Sequence, residues 1–388
     1  MKQLPVNYFF KRLVAGLLVA GILAGLPLSA GGTKDVSGKT ETTAGTVVYT
    51  DMLGREVRLK KNIGRIISIR YMEMYLMAAL LGDELDERVI SVGMSYKDND
   101  IDGYKKFSEA YDLDKMAVIG SIYDDAISLE KIMVLKPDII IADKAFSEYS
   151  CMNKMIEAGL PVVYTDINTD PFHGEQDAMR MLGKMFGVEK KANEMADYMT
   201  KKTDAVLARI QKLDDEGKPV PKLYFECGNV PPSEFGGTRG QTNEGWGYLW
   251  LKLRADNIGV GNGMNPMNPE QILVSNPDVI VIGGANWNPN GDIMRLGFFV
   301  TQESVSAHLA EYTKRPGWQN IAAVKNGRVY AVHFNYTVHP YNFAGVEAMA
   351  KFLYPEEFSD LEPEKDMADF FARYMPVSYS GMFSGSWK

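Results

Sequence analysis

The sequence predicts an α/β protein with two Rossmann-like lobes, each built on a largely parallel sheet, joined by one long interlobe helix. Three observations carry this. One helix-to-strand unit occurs twice, at 128–141 and 268–281. Strand-like β-branched runs alternate with helical runs on both sides of the chain's midpoint, which argues for parallel sheets covered by helices. Between these halves lies one amphipathic stripe: Val188, Ala192, Met195, Met199, Val206, Ile210 and Leu213 are spaced three, four or seven apart on a single helical face. With 388 residues the chain is too long for one core and suits two domains.

The repeated unit has a local physical logic. Ser128 and Asn268 can accept from an orphan backbone N–H at a helix start. Pro269 occupies the first helical position, where a missing donor costs nothing. Glu130 and Glu270 fall in the first turn, where the helix dipole favours negative charge. Pro137 and Pro277 stop each helix, and a β-branched run follows Pro-Asp as a buried strand. A repeat spaced this widely is one unit per domain rather than a solenoid.

Taken in order, residues 1–30 read as an export signal. Lys2, Lys11 and Arg12 precede an apolar run, and Leu28-Ser29-Ala30 offers a cleavage site. A retained membrane anchor is the alternative. The same tripeptide begins like a lipoprotein box, but Gly31 stands where the lipidated Cys would be. Residues 31–46 read as a flexible tether. The N-terminal lobe is assigned to 47–187. It opens with a hairpin pattern about Leu53-Gly54-Arg55 and continues with strands at 66–69, 89–92, 118–120, 138–142 and 162–165. Helices are expected at 72–81 and 146–158, closed by Gly82 and Gly159. His173 precedes a further helix and reads as its cap. The connecting helix is 188–216. The C-terminal lobe, 217–377, restarts with a strand at 222–227 and a Gly/Pro/Asn-rich loop. It then holds a helical pattern near Trp246, the second repeat, a turn at Asn326-Gly327 and a last strand to Val332, with helical regions at 343–353 and 366–373. The tail, 378–388, is expected to be loose.

Composition narrows the function. A net charge of −8 weighs against nucleic-acid binding, which needs a basic face. Cys151 and Cys227 fall in different lobes, so no disulfide is expected, and no Cys/His spacing suggests zinc. There is no P-loop, HExxH or GxSxG elbow.

Several segments together resemble the substrate-binding proteins of ABC importers for ferric siderophores, haem and vitamin B12. They are Gly120…Ser128-Leu-Glu-Lys-Ile…Lys136-Pro-Asp, Gly159-Leu-Pro-Val, Pro269-Glu-Gln-Ile…Asn276-Pro-Asp, Trp318…Ala323-Val-Lys-Asn-Gly-Arg-Val-Tyr330 and Ala350-Lys-Phe-Leu-Tyr-Pro355. The resemblance spans roughly residues 47 to 375. It implies a non-enzymatic binding protein, exported to the periplasm or cell surface and monomeric. Its ligand would be a metal chelate or tetrapyrrole, with no cofactor of its own, held in the interlobe cleft. Its partner would be a permease dimer with ATPase subunits. By position in the repeats, Glu130 and Glu270 would be the acids that dock on permease arginines. A corrinoid or an oxyanion such as molybdate remains an alternative ligand. An envelope enzyme acting on a metal chelate, or a sensor-coupled receptor, remains an alternative class.

Ligands of open α/β sheets collect beyond the C-terminal strand ends. Those loops offer Arg70, Tyr71, Tyr96, Tyr123 and Tyr149 in the first lobe, and Arg239, Trp246, Trp287, Tyr336 and His339 in the second. Arg suits carboxylate or phosphate, and Tyr and Trp suit large flat or amphipathic ligands. His339, with Tyr336 and Tyr341 nearby, is a candidate metal ligand; the metal itself stays open. His333 reads as structural.

Overall fold

The structure, a computed structural model, describes residues 42–43, 45–93, 96–288 and 290–388. The expected export signal at 1–30 and most of the tether lie outside the described residues. The tether's end is not slack: β1 (Thr42–Thr43) pairs antiparallel with β2 (Thr46–Thr50), which pairs with β3 (Glu56–Lys60). The hairpin turns as its sequence requires. Asp51 accepts from the N–H groups of Leu53 and Arg55 and pairs with the Arg55 guanidinium at 2.7 Å. Gly54 supplies the left-handed residue at φ 76°.

The N-terminal lobe follows with β4 (Ile66–Ser68), α1 (Glu73–Leu81), α2 (Leu85–Arg88) and β5 (Val89–Val92). Two short helices, α3 (Tyr96–Asn99) and α4 (Ile101–Phe107), fill a stretch the sequence pattern left unassigned. Strand β6 (Ala117–Val118), the small hairpin β7 (Gly120–Ser121) and β8 (Ala126–Ile127), α5 (Leu129–Leu135), β9 (Ile139–Asp143), α6 (Ser150–Glu157), β10 (Val162–Thr165) and α7 (Gly174–Phe186) complete it. The sheet order is β10-β9-β4-β5-β6, all parallel. Helices cover both faces, so β4 and β9 are buried at every position.

The long helix α8 (Glu189–Asp215) lies where the apolar stripe put it, and Ala192, Met195, Met199, Val206, Ile210 and Leu213 are all buried. It feeds β11 (Lys222–Cys227), α9 (Gly245–Lys252), β12 (Asp256–Asn257), α10 (Pro269–Ser275), β13 (Val279–Gly284), α11 (Gln302–Thr313), α12 (Ala322–Lys325) and β14 (Val329–His333). Helices α13 (Asn342–Leu353) and α14 (Pro363–Tyr374) and strand β15 (Ser384–Ser386) end the chain. The second sheet runs β12-β11-β13-β14-β15, parallel except for β15. The expected loose tail is therefore corrected: β15 pairs with β14, and Phe383 beside it is 1% exposed. Its Ser and Gly residues hid this, because that strand is anchored by backbone pairing and by Phe383 rather than by an apolar run. Cys151 and Cys227 are free thiols, both buried.

The two lobes share one topology. In each, the first strand (β4 or β11) lies between its successor and the strand of the repeated unit (β9 or β13). The repeats also agree in detail. Ser128 accepts from Lys131 N–H and Asn268 from Glu270 N–H. Lys136 and Asn276 both close their helices in the left-handed conformation, at φ 48° and 47°. The Asp of each Pro-Asp pair then ties the unit to the neighbouring strand. Asp138 accepts from the N–H groups of Gly64 and Arg65 and meets Lys60 at 2.5 Å; Asp278 accepts from Lys222 N–H.

Asp138→Ala should destabilise the protein by about 2 kcal/mol in denaturant unfolding, since two backbone donors lose a charged acceptor. A second expectation comes from His173. It sits before α7 but makes no cap bond; it bridges Asp170 at 3.1 Å and Asp204 at 2.9 Å instead. The hydrogen bond it donates to Asp170, then that to Asp204, raises its pKa to about 9 against the opposing effect of burial. The stabilisation is complete below the ordinary histidine pKa of about 6.5 and is lost as pH rises through 9. Thermal unfolding of Asp204→Asn should show a shallower fall between pH 7 and pH 9 than the parent.

Candidate functional site

In each sheet the strand order reverses beside the first strand, between β4 and β9 and between β11 and β13, and the crevice beyond such a reversal is where a ligand fits. The chain leaves β4 through Arg70 and Tyr71 and leaves β9 through Asp143. Arg70 is 3% exposed; it binds Glu73 at 2.6 Å and lies 3.6 Å from Asp143. Burial works against its charge, and Glu73 and Asp143 more than offset this. Burial also raises the Glu73 pKa, with Arg70 opposing. Arg70 therefore clamps the ends of two strands to the start of α1. Its strand-end position suggests a ligand contact, but its guanidinium is paired with protein carboxylates.

Around this clamp stands an aromatic wall. Phe146 packs edge-on against Tyr123 at 5.5 Å and Tyr149 at 5.3 Å, with the Arg70 guanidinium 5.4 Å from its ring. Tyr123 is 47% exposed and the Tyr149 ring is half-buried. Tyr71 stacks on Tyr96, both buried, and the Tyr71 hydroxyl interacts with the side chain of Asn335 from the other lobe.

In the second lobe a ring cluster centres on Phe334, which follows β14 directly. Trp287 meets it edge-on at 5.3 Å, and Arg239 lies over it at 5.0 Å. Arg239 forms no ion pair among the described residues; its Nη1 donates to the Thr238 carbonyl at 3.0 Å. Burial lowers its pKa, with only a weak opposing effect from Cys227. Trp246 is different. Its Nε1 donates to the Phe334 carbonyl at 3.1 Å, and its ring stacks on Phe225 at 4.7 Å, 6% exposed. It supports the wall from behind.

Two candidates lie deeper. Tyr336 is wholly buried against Tyr341 and Phe383, with its hydroxyl 3.6 Å from the Met367 sulfur. It packs the second lobe and does not face the cleft. His339 is wholly buried, its ring 4.0 Å from Tyr75 and 5.1 Å from Tyr341. Burial, then nearby His333, holds its pKa well below the ordinary value, so the ring is neutral. His333 is structural, as expected: its pKa falls to about 3 by burial, and it accepts from Asn335 N–H. Among the described residues, no group of His, Cys, Asp and Glu is arranged to hold a metal ion.

Sequence reasoning missed Phe334, Asn335 and Phe146, which join the walls. It also missed a clasp across the lobes: Asn286 donates to Asp102 of α4 at 2.8 Å, and Lys105 lies 4.0 Å from the Phe299 ring centre. Only Glu73, one helical turn after Arg70, left a readable trace as an ion-pair spacing. Elsewhere, a groove of about 470 Å³ runs along α8 between Phe172 and Tyr248. It lies by the connecting helix, and none of the candidate ligand residues lines it. Glu130 and Glu270 stand apart from the cleft walls, exposed in the first turns of α5 and α10.

Comparison with known proteins agrees with this fold. The family described as periplasmic binding protein matches residues 85–336. A TroA-like periplasmic binding protein FepB from Veillonella parvula superposes with a TM-score of 0.81 at 32% identity, covering 88% of this chain and 99% of its own. An uncharacterized ABC transporter substrate-binding lipoprotein of Bacillus subtilis, YvrC, is 26% identical across 89% of this chain and 99% of its own. The molybdate-binding protein MolA of Haemophilus influenzae is 21% identical across 86% and 92%. Among the described residues no helix is long and apolar enough to cross a membrane.

If Arg70 is a clamp, Arg70→Met should cost about 3–5 kcal/mol in denaturant unfolding, since Glu73 and Asp143 lose their buried partner. Adding Glu73→Gln should recover part of that loss. A variant as stable as the parent would contradict the assignment.

Proposed function

The chain belongs to the periplasmic binding protein family, and we propose that it is the extracytoplasmic substrate-binding subunit of an ABC importer whose ligand is an anionic iron complex, a ferric siderophore or haem. A monomer holds the complex between the lobes and delivers it to a permease driven by separate ATPase subunits. Arg239 carries this reading. It is the cleft cation with no carboxylate partner among the described residues, and it lies over an aromatic ring beside Trp287. A guanidinium left with fork positions to fill suits a carboxylate, catecholate or propionate. Phe334, Trp287 and Tyr123 offer flat faces and edges to the body of such a ligand. The haem-binding protein of Pseudomonas aeruginosa shares the fold, with a TM-score of 0.53 at 17% identity. A corrinoid would use the same aromatic faces.

A second reading is an oxyanion such as molybdate. The name of the Haemophilus relative favours it, as does the same free guanidinium. In either case Glu130 and Glu270 dock the two lobes on the permease. Lobe movement on loading is small, because a single helix packed against α7 and α13 joins the lobes rather than a pair of strand hinges.

The test is a tryptophan-fluorescence titration of the exported chain with haemin, ferric siderophores, cobalamin and molybdate. Saturable quenching by an iron complex is expected. Trp287→Phe should remove most of the signal and Trp246→Phe little of it. Arg239→Ala should weaken binding by about tenfold or more, as loss of a charged hydrogen bond does. Saturation by molybdate alone would select the second reading. Silence throughout, with turnover of a chelate, would replace both with an envelope enzyme.

A further inference from the structure

Glu175 stands in the first turn of α7, 1% exposed, and neither of its carboxylate oxygens has a hydrogen-bond partner among the described residues. An ionised carboxylate does not persist in that state, whereas a neutral carboxylic acid is far cheaper to bury. The charged groups around it give no relief. A helix start favours negative charge, but Glu73 of α1 and Asp143 of β9 face the carboxyl with like charge. Arg70, the cation in reach, is already paired with both of them. Burial, then Glu73, holds the Glu175 pKa well above its ordinary 4.5, with Arg70 opposing and Asp143 adding.

Part of the cover comes from the other lobe. Tyr341, just before α13, faces both Asp100 and Glu175 and meets Tyr75 of α1 edge-on at 5.9 Å. Asn342 beside it donates to the Pro171 carbonyl at 3.0 Å and to Gln176 Oε1 at 3.3 Å, on either side of Glu175 along the chain. Tyr341 and Asn342 are both buried. Parting the lobes draws these two residues away from the start of α7 and brings water toward the carboxyl.

We propose that Glu175 is protonated while the lobes are together and ionises when they part, so that the cleft is held shut in acid and loosens as pH rises. This rests on the importer reading above and adds a regulation of the same cleft. Below its ordinary value of 4.5 the carboxyl is neutral in both forms, and closure is at its firmest. Above it, the wetted carboxyl of the parted form gives up its proton first, and closure weakens by up to about tenfold per pH unit. Asp100, raised to about 6 by burial, acts in the same sense and is ionised in both forms above that value. Asp102, raised by burial too, adds to it. His339 works the other way: burial keeps it neutral, so acid favours parting, but only below the ordinary histidine value of 6.5. Above pH 6.5 His339 drops out and Glu175 carries the largest share of the slope.

The experiment uses the ligand-free exported chain, spin-labelled at Val134→Cys of α5 and Val274→Cys of α10, both exposed positions, while Cys151 and Cys227 stay buried. The distance between the labels is read by pulsed electron resonance between about pH 5 and pH 8.5. In the parent the ratio of parted to shut forms should rise by up to about tenfold per pH unit above 6.5, and Glu175→Gln should flatten that rise. The infrared carbonyl stretch of a neutral carboxylic acid should appear in the difference between parent and Glu175→Gln at about pH 7. One unchanging distance distribution at every pH would overturn the proposal. So would a rise that Glu175→Gln leaves intact, or a difference spectrum without the neutral-acid band. No ligand or permease enters the measurement, so either of those failures leaves the importer reading standing.

Discussion

The cleft depends on one buried guanidinium. Arg70 holds the C-terminal ends of β4 and β9 against the first residue of α1, and it does so inside the protein, where an unpaired charge could not persist. Those pairs tie the two strand ends at the reversal to α1 and leave Arg70 3% exposed. The second lobe solves the same problem elsewhere. Arg315 grips Glu226 with two bonds, at 2.7 and 2.8 Å, and lies among Phe235, Tyr312 and Trp318, so the loop after β11 is pinned without using Arg239. One buried arginine in each lobe is thus spent on scaffolding, whereas Arg239, which has no carboxylate partner among the described residues, lies over Phe334.

The lobes meet through aromatic rings as well as through the connecting helix. Tyr75 of α1 touches His339 and Tyr341, and lies 6.4 Å from Phe298, all from the second lobe. The phenol of Tyr75 donates to Asp100 at 2.7 Å, and Asp100 caps α4, whose Asp102 reaches Asn286. The contact is thus a layer of rings edged by polar bonds.

The sequence made the fold legible wherever one physical signal was strong. The stripe from Val188 to Leu213 gave α8 nearly to the residue, and the two Pro-Asp units gave matched helices and strands. It was silent where stability came from partners far along the chain. Helices α3 and α4 carry no long apolar period; they persist because Asp100 caps α4 and Phe107 packs on Tyr75. Strand β15 is Ser-Gly-Ser and exists only against β14. The site divided in the same way. Residue types at strand ends located the walls, but whether an Arg or Trp was free or committed depended on its neighbours. Arg70 and Trp246 looked like Arg239 and Trp287 in the sequence, and packing separates them.

The repeated unit also links the cleft to the outer surface. A helix that enters a strand through the tight turn at Lys136-Pro137-Asp138 runs back along the sheet, so its start lies toward the C-terminal strand ends. The same holds at Asn276-Pro277-Asp278. Tyr123, just before α5, packs on Phe146, just after β9, which puts the α5 start near the first wall. Glu130 and Glu270 therefore lie on the strand-end side of their lobes, apart from the aromatic walls. Any change in lobe separation caused by a ligand changes the spacing of the two acids. A partner with fixed sockets would read that spacing directly, with no moving part other than the lobes themselves.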